Sequence, residues 1–546
     1  MVTPEIHEST WNWWKHGVIY HIYPRSFFDS NGDGIGDLRG VILKVKYLAD
    51  LGIDAIWLSP IYTSPNFDFG YDVSDYRGIN PEYGSMADFH ELLETCHGSG
   101  IRVIMDMILN HTSSLHPWFL ESRAQQSNPK RDWYIWKDGT GNHPPNNWKA
   151  AFGSSAWQFD AKTGQYYLHS FFREQPDLNW RNSEMAKAVF EEMKFWLNLG
   201  VDGFRLDAIN LIVKDKKFRN NPILPGIPFI HKNIYFRNRP KSIKIASKLR
   251  QLLDTYAERA AVGEIITLPP GDPEVSASYL ADGEGIHLAF DFSLIFSTWN
   301  AWKYYKCISS WYQRIPEQGW PCQVLSNHDL FRHIDRFSWR RHKLEKAKVA
   351  AFLLLTLKGT PFIYYGEEIG MKNGRISRKQ IRDPLGHKYW PLFTGRDRAR
   401  TPMQWSSQPN AGFSSENPWL PVNPDYNQIN VEKQALETGS LLNLYRSLIR
   451  LRRKHIALRD GRWIPLLNGM KGILAYIRKT EEEQLIVILN FTANKKRIRL
   501  QEHVFGKVLL STSRKTGDTT TLHEFMLDPY EATLFDITMN SENFGL

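Results

Sequence analysis

Eight short apolar runs, alternating with stretches of helical spacing, constrain this chain more than any other feature. The runs are GVIYHIYP, DAIWLSP, IRVIMDMILNH, DGFRLDAI, AAVGEI, LAFDFS, CQVLSNHD and GTPFIYYGEE, rich in branched and aromatic residues. Between them lie segments such as SMADFHELLETCHGSG, MAKAVFEEMKFWLNLG and KSIKIASKLRQLLDTYAERA, whose apolar residues recur every three to four positions. Strand and helix alternating this often predict an α/β fold, a parallel (β/α)8 TIM barrel, which needs about 250 residues. The chain has 546, so it carries additions. Residues 1–111 read as the first part of the barrel. Residues 112–179, rich in Trp, Asn, Pro and Gly, lose helical periodicity and read as a lobe inserted after strand three. Residues 180–460 complete the barrel, with a long loop at 367–437 and a closing helix SLLNLYRSLIRLRRKH. Residues 461–546 alternate as antiparallel strands and read as a C-terminal β-domain.

Composition narrows the partners. The net charge is +10, but the basic residues are scattered and no nucleic-acid-binding signature occurs. Cys96, Cys307 and Cys322 are odd in number and widely spaced, fitting neither a disulfide framework nor a zinc site. The N-terminal stretch lacks the pattern of a secretion signal, and no run of eighteen apolar residues occurs. Together these predict a cytoplasmic protein with free thiols, no nucleic-acid partner and no membrane span.

One glycine-rich stretch, DSNGDGIGDLRG from Asp29 to Gly40, needs a separate account. A phosphate-cradling turn reads G-x-G-x-x-G, whereas here aspartates interleave with the glycines and would repel an anion. Asp29, Asn31, Asp33 and Asp37 fall at positions 1, 3, 5 and 9 of a calcium-type loop, with Gly34 at the turn. Position 12 is Gly40, not the glutamate of an EF-hand. The residues alone leave two readings open, a bound hard cation and a solvated turn.

Barrel enzymes carry their reactive groups at the C-terminal ends of strands. Strand three ends with Asp106, Asn110 and His111, strand four with Arg205 and Asp207, strand five with Glu264, and strand seven with His328 and Asp329. One acid at a strand end is an ordinary cap. Several carboxylates and two histidines gathered at one mouth call for a function, because unpaired buried carboxylates are costly. Glu367 and Glu368, at the end of strand eight, read as loop anchors. The DFG tripeptide at 68–70 has none of the companion motifs of a kinase and reads as chance.

DMILNH, GFRLDAI, VGEI and LSNHD, in this order at strand ends three, four, five and seven, resemble the α-amylase family of retaining α-glycoside hydrolases. QPDLN, RARTPMQW, NFDFGYDVSDY and the segment around Asp29 are similar to its α-glucosidase and oligo-1,6-glucosidase branch. The resemblance spans nearly the whole chain and implies Asp207 as nucleophile, Glu264 as general acid/base and Asp329 as a third carboxylate that grips the sugar. It implies sugar contacts from His111 and His328, and Arg205 as the cation that keeps Asp207 ionised. It further implies a pocket closed on a terminal glucose by an Asp72–Arg400 pair, with Tyr71 stacked on the sugar. The expected partner is a small oligosaccharide, met by a monomer or homodimer.

For the Asp29 loop the resemblance implies a structural Ca²⁺, or Mg²⁺ in its place, held by Asp29, Asn31, Asp33, Asp37 and the Ile35 carbonyl. Ala208, following the nucleophile, departs from the valine of the 1,6-specific pattern. The expectation is therefore an exo-acting α-glucosidase on short α-1,4-linked substrates such as maltose, with transglucosylation as a side activity. The alternatives are an oligo-1,6-glucosidase, a sucrose- or trehalose(-6-phosphate)-converting enzyme and, more remotely, a non-catalytic transporter-associated homologue.

Overall fold

The computed structural model describes residues 11–224, 227–267, 270–337, 341–466, 469–500 and 504–538. The first ten residues, read above for a secretion signal, and the last eight of the C-terminal domain lie outside them.

All eight apolar runs form strands of one parallel sheet: β1 (Ile19–Ile22), β2 (Ala55–Leu58), β3 (Arg102–Ile108), β4 (Gly203–Asp207), β5 (Ala260–Gly263), β6 (Leu288–Ala289), β7 (Cys322–Val324) and β8 (Thr360–Tyr364). Neighbours pair in the order β6-β5-β4-β3-β2-β1-β8-β7. A parallel bridge between Phe290 and Cys322 joins the two ends, so the sheet closes into a barrel. Nearly every strand residue is buried, as expected when helices cover one face and the barrel interior fills the other. Gly203 opens β4 because a Cβ there would stand 2.2 Å from the Ala260 carbonyl oxygen of β5.

The helices form where the periodicity places them. Ser183–Leu199 starts at Asn182, whose side chain accepts from the Glu184 and Met185 amides. It buries Met185, Val189, Met193, Trp196 and Leu197 along one face and stops at Gly200, in the left-handed region at φ 106°. Met86–Gly98 carries a reciprocal capping box between Ser85 and Asp88.

After β3 the chain leaves the barrel into a lobe built on a three-stranded sheet (Trp136–Lys137, Trp157–Asp160, Gln165–Leu168). The lobe also contains a helix, Pro117–Ala124, capped by His116. Eight residues are too few to show a helical repeat in sequence. A hairpin pairing Ile223 with His231, between β4 and β5, was likewise not legible. The loop after β8 reaches the lobe, where Lys388 Nζ donates to the Phe152 carbonyl at 3.1 Å. Helix Leu441–Lys454 packs on Lys343–Thr356, and a six-stranded antiparallel sheet follows it. Among the described residues no helix is long and apolar enough to cross a membrane. Cys96, Cys307 and Cys322 are all free.

Candidate active site

Side chains alternate across a strand, so Arg205 and Asp207 leave β4 on one face while Phe204 and Leu206 take the other. That alternation sets up the site. The Arg205 guanidinium donates from Nη1 to Asp106 Oδ1 at 2.6 Å and to Asp207 Oδ1 at 2.7 Å. Its Nη2 meets Glu264 Oε1 at 2.7 Å. Three strands thus deliver three carboxylates to one buried cation. After Asp207 the chain turns sharply, with Ala208 left-handed at φ 44°. This turn aims the Ala208 amide at Glu264 Oε2, 3.1 Å away. A non-glycine residue held there stores backbone strain, as residues at functional sites often do.

Burial pushes Asp207 up to about 7, against the pull of Arg205 and with Asp106 and Asp329 adding to the rise. The downward pull expected of Arg205 is present, but burial outweighs it, and the one guanidinium is shared among three carboxylates. Burial likewise raises Glu264 to about 7 and Asp106 to about 6, each opposed by Arg205. Asp329 behaves oppositely. Burial would raise it, but His328, Arg396, Arg400 and Arg205 hold it well below the usual carboxylate range. Asp329 is thus favoured in its ionised form, while burial shifts both Asp207 and Glu264 toward their protonated forms.

A cavity of about 340 Å³ opens onto these groups. Asp207, Glu264 and Asp329 line it together with Tyr71, His111, Gln175, Asp68 and Arg396. Burial lowers His111 to about 4 and His328 to about 3, so both imidazoles are neutral at pH 7. His111 faces the cavity, with Nε2 on the Tyr71 carbonyl oxygen (3.1 Å) and 3.2 Å from Gln175 Nε2. His328 stands behind Tyr71, its Nε2 2.7 Å from the Tyr71 hydroxyl and its ring stacked on the tyrosine at 5.4 Å and 6°.

The Asp72–Arg400 closure is not formed. Asp72 is fully buried and accepts from the Phe67 and Asp68 amides at 2.9 and 2.8 Å, so its carboxylate closes its own turn. Arg400 donates to Asp329 Oδ1 at 2.8 Å and to the His328 carbonyl at 2.8 Å, holding the third carboxylate from outside the cavity. The ion pair that lines the cavity is instead Asp68 with Arg396, at 2.6 Å. Arg396 is fixed in turn by Asp383 at 2.9 Å, and Gln175 of the lobe donates to Asp68 at 3.2 Å. Asp68 is the aspartate of the dismissed DFG tripeptide.

Sequence reasoning also missed Lys214. Its buried ammonium lies 3.0 Å from Asp177 Oδ2, 3.0 Å from Asn110 Oδ1 and 2.9 Å from Ser170 Oγ, and it also donates to the Leu211 carbonyl. It ties the β4 loop to the inserted lobe. Glu367 and Glu368 serve as anchors: Glu368 accepts from Tyr20 and Tyr47, and Glu367 from Tyr445.

Asp29 accepts from the Asn31, Gly32 and Gly34 amides and the Ser414 hydroxyl. Asp37 accepts from Ser30 and from the Gly40 amide. The loop is thus closed by its own hydrogen bonds, and among the described residues no three His, Cys, Asp or Glu side chains gather in a metal-holding group. Asn31 and Asp33 are exposed and Ile35 half-buried.

Residues 21–461 match the family described as alpha amylase, catalytic domain, and residues 473–534 the alpha-amylase SusG C-terminal domain. The chain belongs to the α-amylase family. Among family members, it is 40% identical to the oligo-1,6-glucosidase of Parageobacillus thermoglucosidasius over 96% of this chain and 99% of that one. It is 40% identical to a probable alpha-glucosidase of Rhizobium meliloti, covering 90% and 91% of the two chains. Among solved structures, the alpha-glucosyl transfer enzyme XgtA superposes with a TM-score of 0.90 at 37% identity, over 96% of this chain and all of that one. The trehalulose synthase MutB from Pseudomonas mesoacidophila gives 0.88 at 33%, over 96% and 99%.

Proposed function

We propose that this family member is an exo-acting, retaining α-glucosidase that releases glucose from the non-reducing end of short α-glucosides. The observation that carries the proposal is the meeting of Asp207 and Glu264 on one guanidinium in the lining of one cavity. Retention needs two carboxyl groups about 5 Å apart, one ionised and one protonated. Asp207 attacks the anomeric carbon while Glu264 protonates the departing glycosidic oxygen. Water, deprotonated by Glu264, then displaces Asp207 and restores the starting configuration. Asp329, kept ionised, grips sugar hydroxyls as the ring flattens. Another sugar in place of water gives transglucosylation.

Exo-action rests on Asp68 and Arg396. Their ion pair lines the cavity, where it would meet the outermost hydroxyls of one terminal glucose. Asp68→Asn is expected to lower kcat/KM on disaccharides by about ten- to a hundredfold, the worth of a charged hydrogen bond of ~1.5–3 kcal/mol. Asp72→Asn should cost less, because Asp72 closes a turn outside the cavity. A larger loss at Asp72 would sink the assignment.

The pH profile follows from the two shared protons. Below neutrality Asp207 takes up a proton and stops attacking; above it Glu264 loses the proton it must donate. With both groups near 7, kcat/KM should trace a narrow bell centred close to pH 7. A flat plateau across the acidic range would contradict this.

For linkage, Ala208 beside the leaving-group side supports α-1,4 substrates such as maltose. A second reading has its own support, since relatives 40% identical are named oligo-1,6-glucosidases and the neighbour MutB is a trehalulose synthase. Initial rates on maltose, isomaltose, sucrose and trehalose separate them. Maltose should be turned over faster than isomaltose, and the reverse order would establish the second reading.

The reading includes a cytoplasmic enzyme, supported by the three free cysteines. It also includes a structural Ca²⁺ or Mg²⁺ on the loop of Asp29, Asn31, Asp33, Ile35 and Asp37. The donors are all hard oxygens, and Asp37 Oδ2 and both Asp33 carboxylate oxygens, each accepting one hydrogen bond, keep a lone pair free. The ion would pin the loop and take no part in the chemistry. Chelation should then lower the melting temperature, because it removes the ~3 kcal/mol of stability that a ligand at a hundred times its Kd contributes. An unchanged melt with no metal in elemental analysis would exclude it.

A further inference from the structure

A second, larger cavity of about 750 Å³ lies at the same mouth of the barrel, between the loops that follow β6, β7 and β8. Its lining carries five cations, Arg336, Lys343, Lys372, Arg375 and Arg398, against the single carboxylate of Asp335. Two cations are already paired, Lys343 with Asp335 and Lys372 with Asp425 at 2.7 Å. The three arginines have no carboxylate partner among the described residues. Arg336 donates Nε to the Phe331 carbonyl at 2.9 Å and also donates to the Leu325 carbonyl. Arg398 donates Nε to the Gly374 carbonyl at 3.0 Å and sits over the Phe331 ring at 5.3 Å. Arg375 is exposed. The arginines at the catalytic carboxylates are ion-paired: Arg205 holds Asp106, Asp207 and Glu264, Arg396 holds Asp68 and Asp383, and Arg400 holds Asp329. Arg375 and the Nη groups of Arg398, without carboxylates in a concave wall, present donors that match a phosphate, and Arg336, its donors turned to backbone carbonyls or buried, adds its positive charge behind them. Phe331 and the half-exposed Phe296 (49%) add apolar surface of the kind that covers the carbon face of a sugar ring.

The cavity is distinct from the catalytic pocket but shares its wall. Asp329 and Arg396 face the pocket, while Phe331 and Arg398, each two residues further on, face the second cavity. We propose that the cavity lined by Arg336, Arg375 and Arg398 is a binding site for a phosphorylated sugar, occupied independently of the catalytic pocket. The phosphate pairs with Arg375 and Arg398 and the sugar ring lies against Phe296 and Phe331. This inference does not depend on the hydrolytic assignment.

Calorimetric titration of the full-length protein with glucose 6-phosphate tests it, with the catalytic pocket kept filled by excess glucose. Binding should persist under those conditions, weaken steeply as sodium chloride is added, and exceed that of inorganic phosphate. Arg375→Glu, at an exposed position, should reduce the affinity at least tenfold while leaving turnover of maltose unchanged, and Arg398→Ala should reduce it similarly. Competition by glucose, equal affinity for inorganic phosphate, or undiminished binding in a folded Arg375→Glu variant would each overturn the proposal.

Discussion

Asp207→Asn should reduce kcat on maltose by about ten-thousand-fold or more, the scale on which losing a covalent nucleophile registers. The amide has the shape of the carboxylate, so Arg205 keeps Asp106 and Glu264 as partners and the fold is expected to survive. Glu264→Gln should be just as damaging with maltose, whose leaving sugar needs a proton. With an aryl glucoside whose leaving group departs unprotonated, the Glu264 variant should still form the glucosyl-enzyme and stall there. Azide separates the two roles further. Entering the space vacated in Asp207→Gly, it attacks from the nucleophile's side and gives a product of inverted configuration. Acting on the stalled Glu264→Gln intermediate, it gives the retained one. The same configuration from both variants would mean that the two carboxylates do not hold opposite faces of the sugar.

The second large effect is expected far from the reacting atoms. Lys214→Met removes the ammonium from among Asp177, Asn110 and Ser170 and leaves the Asp177 carboxylate buried without a cation. Breaking a buried pair in this way costs about 3–5 kcal/mol. Lys214→Met combined with Asp177→Asn should recover part of that loss, because no unpaired charge remains. Thermal melting reads the stability, and proteolysis within residues 112–179 reads the release of the lobe. Gln175 of this lobe reaches Asp68 and His111 in the pocket, so KM should rise with the loosening. A single variant no less stable than the double one would show that Lys214 is not the strut between lobe and barrel.

The barrel and its chemistry were legible for different reasons. The β1 to β8 runs announce themselves because a strand buried on both faces is apolar along its length. Arg205, Asp207 and Glu264 stand out against that background, being charged where packing alone would place none. The Asp68–Arg396 pair was not legible, because the two partners are 328 positions apart on loops without periodicity. The neighbouring Asp72 and Arg400 offer the same residue types, and only the turn at 67–72 decides which carboxylate faces inward. Lys214 was hidden for a related reason: a lysine in a loop reads as solvent-exposed until three other loops converge on it. The fate of Asp207 shows the limit of local reasoning about charge, since Arg205 is two residues away but is shared with Asp106 and Glu264.

The account turns on a covalent bond between glucose and one named side chain. A slow-releasing fluoroglucoside should trap the glucosyl-enzyme, and peptide mass spectrometry should place the label on the segment containing Asp207. Label on a peptide containing Glu264 or Asp329 would contradict the account, as would a complete absence of label alongside a first-formed product of inverted configuration.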